Sequence, residues 1–297
     1  MRTIAVLGPG GVGGLVAAAL ARAGIDVVVV AREETAAAIE RDGIGVRSVA
    51  LGDFHATPRT SARLDEPVDA LIVAAKATTL ADAVARVGVA PDLVVPLLNG
   101  VDHMTALRER FPDRVAAGVI RVESERTGPG EIVQSGPGVR IDLAADDERL
   151  RPPLAELAET LEAAGFDVRT GPSEADVLWR KLARLAPIAL ATAAFDSPLG
   201  PIREDPRRAS ALWAAVEEVA AAANAEGVPV DAAAIRGEIE QVHPELRSSM
   251  QKDVDAGRPP ELDAIAGAVL RAADRHELRA PAVSALATRV AGRYSSP

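Results

Sequence analysis

Residues 1–14, MRTIAVLGPGGVGG, constrain the fold more than any other stretch of this chain. Thr3 to Leu7 is a short β-branched and apolar run suited to a buried parallel strand. It opens directly into Gly8-Pro9-Gly10-Gly11-Val12-Gly13, after which Val16 to Ala23 reads as helix. A GxGxxG that closes a strand and opens a helix is the arrangement that cradles a dinucleotide. Gly8 makes the tight turn, Gly10 has no Cβ to hold a pyrophosphate off the backbone, and Gly13 lets helix and strand approach closely. The helix N-terminus offers unpaired N–H groups and its positive dipole end to phosphates. The plain alternative is a glycine-rich turn with no ligand.

The end of the second strand, Asp26 to Val30, tells which nucleotide binds. An NAD enzyme carries Asp or Glu roughly 20 residues past the glycines to hold the ribose diol. Here the strand ends in Ala31-Arg32. A guanidinium grips a 2′-phosphate through a charge-assisted fork, so NADP(H) is favoured over NAD(H). Glu33 and Glu34 follow at once and are alternative acceptors if the register moves, and Arg32 would then be an ordinary surface arginine.

A chain of 297 residues has room for two domains with separate cores. Aromatic residues make up only 2%, so those cores must be built from Ala, Val, Leu and Ile. The net charge of -10 argues against a nucleic-acid partner, which wants a basic surface. Without cysteine there is no disulfide, thiolate ligand or cysteine nucleophile. His55, His103, His243 and His276 are scattered without metal-ligand spacing, so no metal is expected. The first strand begins almost at Met1, which leaves no signal peptide ahead of it. The longest apolar candidate, Leu182 to Phe195, carries Arg184 and Pro187 and falls short of the ~18 residues a span needs. The expectation is a cytoplasmic protein with no membrane partner.

The first half alternates strand and helix, with strands at Val46–Val49, near Phe54, Val68–Ala74, Leu93–Leu98 and Val115–Val122. Leu80–Val87 and His103–Arg110 read as helices between them, a pattern that demands a parallel sheet with covering helices. Ile132-Val133 and Val139–Leu143, separated by Gly136-Pro137-Gly138, look like antiparallel strands appended to that sheet. A helix over Leu154–Ala164 and an edge strand over Phe166–Arg169 complete the half. Beyond Ser173 the period becomes helical, over Glu174–Ala194, Pro206–Glu226, Val230–Val242, Pro260–His276 and Ala280–Tyr294. The fold class expected is an α/β domain over residues 1–172 followed by an all-α domain over 173–297.

Ligands of such sheets sit at the C-terminal strand ends. Lys76 and Asn99-Gly100 follow two strands there and describe one crevice with Gly8 to Gly13 and Arg32. A lysine in that place meets an anion or simply faces water, and Asn-Gly is a common turn in its own right. In the helical half, Trp179-Arg180-Lys181-Leu182 lies on the first long helix. Ser248-Ser249-Met250-Gln251-Lys252-Asp253 precedes Pro260-Glu261-Leu262-Asp263, where Pro260 suits a first turn and Glu261 caps free N–H groups. Spacing alone makes these a helix cap and surface charges.

Taken together, these residues resemble the ketopantoate reductase family over nearly the full length. The marks are GxGxxG with Arg32 after the second strand, Lys76, Asn99-Gly100, Trp179-Arg180-Lys181-Leu182, Glu217-Glu218-Val219, Ser248-Ser249-Met250 with Gln251 and Asp253, and Glu261 with Asp263. The resemblance implies a Rossmann-type domain followed by a helical one, and NADPH-dependent reduction of a 2-oxo acid. By the same resemblance Lys181 is the catalytic acid, Glu261 holds the substrate hydroxyl, and Ser249 helps bind the substrate carboxylate. Lys76 and Asn99 line the cofactor and substrate cleft. Many family members carry asparagines four and eight residues past the lysine, on one helical stripe. Here they are Leu185 and Ala189, so an amide wall has become hydrocarbon. The expected activity is reduction of ketopantoate to pantoate, with a homodimer as a compatible assembly. The alternatives are an NADP-dependent reductase of another small 2-oxo or 3-hydroxy acid, and an NADP-binding regulatory protein without turnover.

Overall fold

The computed structural model describes residues 1–295; residues 296 and 297, the end of the expected helical domain, lie outside them. The chain divides into two compact units, Met1–Leu98 with His103–Val177, and Asn99–Asp102 with Leu178 onward. They form the Rossmann-type α/β and all-α pair expected from the sequence.

In the α/β unit the chain runs β1 (Thr3–Leu7), α1 (Gly11–Arg22), β2 (Asp26–Val30), α2 (Glu33–Asp42), β3 (Ile44–Ser48), β4 (Phe54–Ala56) and β5 (Arg59–Ser61). It continues through β6 (Ala70–Val73), α3 (Leu80–Val84), β7 (Leu93–Pro96), α4 (His103–Arg110), β8 (Ala117–Arg121), β9 (Ser124–Gly128) and β10 (Glu131–Gln134). It closes with β11 (Arg140–Ala144), α5 (Arg151–Ala163) and β12 (Asp167–Thr170). A five-stranded parallel sheet has the order β5-β2-β1-β6-β7. From β1 the chain builds outward through β2 and later returns to β1's other side with β6. The C-terminal end of β1 is therefore the topological switch point at which α/β sheets bind ligands. The inner strands are buried along nearly their whole length, as apolar runs covered on both faces must be.

Two expectations need correction. Ile132-Val133 and Val139–Leu143 each have an antiparallel partner, but neither is appended to the five-stranded sheet. β10 runs parallel to β3 and antiparallel to β9, whereas β11 pairs with β8 and β12 in a separate three-stranded sheet. The buried Gln134 amide ties the end of β3 to the turn after β10. Its Oε1 accepts from Ser48 Oγ at 2.7 Å and Ala50 N at 3.1 Å, and its Nε2 donates to the Gly136 carbonyl. Nor does the Val115 region continue the main sheet as a full strand, since only a Val94–Val115 bridge joins it there.

The helical unit takes in most of α6 (Glu174–Phe195), then α7 (Leu199–Glu204), α8 (Pro206–Ala225), α9 (Ala232–Glu240), α10 (Ser249–Asp255), α11 (Ala268–Arg275) and α12 (Pro281–Ser295). Its core is aliphatic and alanine-rich, with Ala186, Ala193, Ala215, Ala222 and Ala223 fully buried. Trp179 is buried, and Trp213 lies half-buried under the Arg236 guanidinium, 4.6 Å from the ring centre. Helix ends are satisfied by specific side chains, as orphaned backbone groups require. Asp205 accepts from Arg207 N and Arg208 N ahead of Pro206, which opens α8. Glu218 accepts from Ala282 N and Val283 N, each at 2.8 Å, which gives this sequence mark a structural role in capping α12. Arg289 and Arg293 donate to the Ala194 and Ala193 carbonyls at the end of α6.

The helix expected from Pro260 is not regular. It opens with a π-helical segment over Asp263–Gly267 before α11 begins. Gly267 leaves room beside this segment for the Asp263 carboxylate, whose Oδ1 would stand 2.4 Å from a Cβ there. Among the described residues no helix is long and apolar enough to cross a membrane.

Candidate functional site

Gly8 sits at the tip of β1 with φ +91°, a conformation that favours glycine, and its N donates to the Val30 carbonyl at 3.0 Å. A Cβ on Gly13 would stand 2.2 Å from the Gly8 carbonyl oxygen, and one on Gly11 would stand 2.4 Å from the Ser124 carbonyl oxygen. Ser124 Oγ in turn donates to the Gly11 carbonyl at 2.7 Å. Backbone from β9 thus supports the loop, a contact the sequence did not reveal. Gly10 differs, since a Cβ there would meet nothing within 4 Å. It is the N-cap of α1, has no side-chain cap, and is followed by a first turn without acidic residues. Open space and a helix N-terminus with no acidic residue in its first turn fit a bound phosphate. Pro9 is buried beside this loop and Val12 is half-buried.

Arg32 is exposed at the N-cap of α2, where its carbonyl accepts from Ala36 N at 2.8 Å, and its guanidinium makes no ion pair or hydrogen bond among the described residues. Glu33, the first alternative acceptor, faces Arg86 at 3.3 Å, and the same guanidinium nitrogen donates to the Ala62 carbonyl at 3.0 Å. Lys76 lies beyond the tip of β6, where its carbonyl accepts from Thr79 N at 2.9 Å and opens a single 3₁₀ turn. These groups stand at the C-terminal ends of neighbouring strands of one sheet.

In the helical unit Lys181 is only 9% exposed, on the stretch of α6 that also buries Trp179, Leu182 and Ala183. Of the two positions past it on that stripe, Leu185 is half-buried, while Ala189 has no exposed surface. Farther along α6, Thr192 Oγ1 lies 2.7 Å from Ser248 Oγ, a buried contact. Ser248 is the N-cap of α10 and accepts from Gln251 N at 3.1 Å. Ser249, the next residue, is exposed, whereas Gln251 and Asp253 are buried. Gln251 Nε2 donates to Asp196 Oδ1 at 3.3 Å, and Arg258 Nε donates to Asp253 Oδ1 at 2.9 Å.

Asn99 and Glu261 meet within this same unit. Asn99 Nδ2 donates to Glu261 Oε2 at 3.0 Å across 162 residues of sequence. Gly100 has φ +84°, and a Cβ on it would stand 2.1 Å from the Ala264 carbonyl oxygen. Two residues on, Asp102 shares Arg271 with Asp263, and this holds the guanidinium pKa well above its ordinary value, through Asp263 first and Asp102 second. No pattern in the sequence pointed to Thr192, Asp102 or Arg271.

Two family descriptions match the chain: "Ketopantoate reductase PanE/ApbA" over residues 4–147 and its C-terminal counterpart over residues 175–293. A 2-dehydropantoate 2-reductase from Caulobacter vibrioides is 31% identical, with 95% of this chain and 96% of that protein covered. The crystal structure of a PanE/ApbA family ketopantoate reductase from Ralstonia eutropha JMP134 superposes with a TM-score of 0.86 at 28% identity, covering 99% of this chain and 98% of that one. A D-mandelate dehydrogenase structure with NADH and anilino(oxo)acetate gives a TM-score of 0.90 with the same coverage of 99% and 98%. At 19% identity, that second likeness is one of fold alone. The chain therefore belongs to the ketopantoate reductase family and is a nicotinamide-dependent oxidoreductase of that type.

Proposed function

We propose that this protein reduces the 2-oxo carbonyl of ketopantoate with NADPH to give pantoate. The observation that carries the reading is the Glu261 carboxylate aligned by the Asn99 amide at 3.0 Å, in the unit that also buries Lys181. NADPH, when bound, supplies a hydride to the carbonyl carbon. Negative charge then grows on the carbonyl oxygen. Lys181 stabilises that charge and passes its proton to the oxygen, and an ammonium shielded from water does this more effectively than an exposed one. Glu261 accepts the substrate hydroxyl, and Asn99 keeps the carboxylate oriented for it. Ser249 meets the substrate carboxylate, and Lys76 adds positive charge for the anionic ligands. Gly8 to Gly13 hold the pyrophosphate, with the cytoplasm as the setting.

Arg32 supports NADPH over NADH, because it stands unpaired at the strand tip while Glu33 is engaged by Arg86. Arg32→Ala is expected to weaken NADPH by about 1.5–3 kcal/mol, the range for a hydrogen bond to a charged group, and to leave NADH unchanged. Titrating both nucleotides against both proteins checks this; equal affinities in the wild type would remove the basis for the assignment.

Leu185 favours a second reading, a 2-oxo acid with a more apolar side chain, since it puts half-buried hydrocarbon where the resemblance implies an amide. Ala189 offers a ligand no surface, so the change there is taken up inside the protein. On the primary reading kcat/KM for ketopantoate exceeds that for 2-oxoisovalerate, which lacks the hydroxyl, by about 100-fold, or ~3 kcal/mol at ~1.36 kcal/mol per decade. Parity between the two acids would select the apolar substrate. Tight NADPH binding with no turnover of any 2-oxo acid would select a regulatory protein.

A further inference from the structure

We propose that Arg271 is a positioning residue: its guanidinium ties the Asn99–Asp102 turn to the wide helical turn after Glu261, and so sets the Asn99 amide against the Glu261 carboxylate. The kinetic consequence rests on the substrate reading above; the tie itself does not.

Arg271 spreads its donors over two carboxylates. Nε and Nη2 reach Asp102 Oδ2 at 3.2 and 2.7 Å, and Nη1 reaches Asp263 Oδ1 at 2.7 Å. Nη2 also donates to the Asp263 backbone carbonyl at 3.1 Å, so one planar fork holds the turn, the π segment's side chain and its backbone. Lysine has no such fork. The surroundings are shaped to this contact. Gly267 leaves room for the Asp263 carboxylate to fold back over its own helix, since a Cβ there would also stand 2.9 Å from Arg271 Nη1. Gly100 brings the backbone of the Asn99–Asp102 turn against the Ala264 carbonyl of the same π segment. The turn is thus pressed onto the segment at Gly100 and tied to it at Asp102, with Asn99 at the start of the turn.

Asp102 and Asp263 would repel each other without the cation between them, as would any two carboxylates sharing one partner. The pair is part-exposed, and such ion pairs contribute little to global stability. What it secures is the position of one amide, and position is what a hydroxyl-reading site depends on.

Arg271→Met, which keeps an unbranched apolar stem and removes the charged fork, tests the proposal in two arms. Asn99-Gly100 is a succinimide-forming pair: the Gly100 nitrogen attacks Asn99 Cγ, a new C–N bond forms, and the side-chain nitrogen leaves as ammonia. That attack needs the turn to move, so a tied turn suppresses it. In Arg271→Met, deamidation at Asn99, followed by peptide mass spectrometry, is expected to rise at least about threefold as the local opening becomes easier. In the second arm KM for ketopantoate rises about five- to tenfold, NADPH affinity stays within about twofold, and kcat/KM for 2-oxoisovalerate is unchanged. Asp102→Asn combined with Arg271→Met recovers part of the loss, because the repulsion is gone. An unchanged deamidation rate overturns the tie. If the wild type ignores ketopantoate, the substrate reading has failed and the deamidation arm still decides the tie.

Discussion

Lys181→Ala is expected to lower kcat by about two to four orders of magnitude, the usual worth of a positioned proton donor, with NADPH affinity largely kept. The glycine loop and Arg32, the proposed nucleotide contacts, belong to the α/β unit, whereas Lys181 belongs to the helical one. Truncation at the buried Lys181 removes three methylenes and the ammonium and leaves a void, so some loss of stability is expected too. Lys181→Met fills that void without restoring a proton, and separates the two effects. If the methionine variant turns over like the wild type, Lys181 is not the acid. If it is stable and inactive while still binding NADPH, the role holds.

Gly100→Ala is the second large effect expected. A side chain at φ +84° costs about 1–2 kcal/mol, and the added methyl would meet a backbone carbonyl at 2.1 Å, an overlap that costs about 1–3 kcal/mol more. The helical unit should therefore lose about 2–5 kcal/mol of stability by calorimetry, evaluated against Asn99→Ala. Asn99→Ala removes only one hydrogen bond to a carboxylate and should cost less, about 1.5–3 kcal/mol at most. Both variants should lose activity on ketopantoate, because both free the Glu261 carboxylate. A Gly100→Ala protein as stable as the wild type would mean the turn does not sit on the π segment.

The elements readable from the sequence are those that carry their own burial pattern. β1, β2 and β7 are continuous apolar runs, and α4 lies at His103–Arg110, between strands as the alternation implies. β5 and β9 were invisible because they read Arg-Thr-Ser and Ser-Glu-Arg-Thr-Gly, polar strands held by backbone pairing. At the sheet edge β5 is further secured by Arg59, which forks onto both oxygens of Asp26 at 2.8 Å and holds that carboxyl below its usual pKa. The short helices α7 and α10 escaped because six or seven residues show too little period. α7 is anchored by long-range bonds, such as Leu199 N to the Leu246 carbonyl at 3.1 Å. The candidate site divides the same way. The glycine loop and Arg32 declare themselves through local context. Glu261 acquires its meaning from Asn99, 162 residues away, and no spacing rule spans that distance.

Both tryptophans, Trp179 and Trp213, and the single tyrosine, Tyr294, fall in the helical unit, while the α/β unit holds only Phe54, Phe111 and Phe166. Indole emission from this protein is consequently a report on one half of the molecule, and the nucleotide-binding half is nearly dark. A denaturation curve followed by fluorescence describes the melting of the helical unit alone. Far-ultraviolet dichroism registers the strands as well, so coincidence of the two curves would establish that both halves unfold as one cooperative system, and separation would show two.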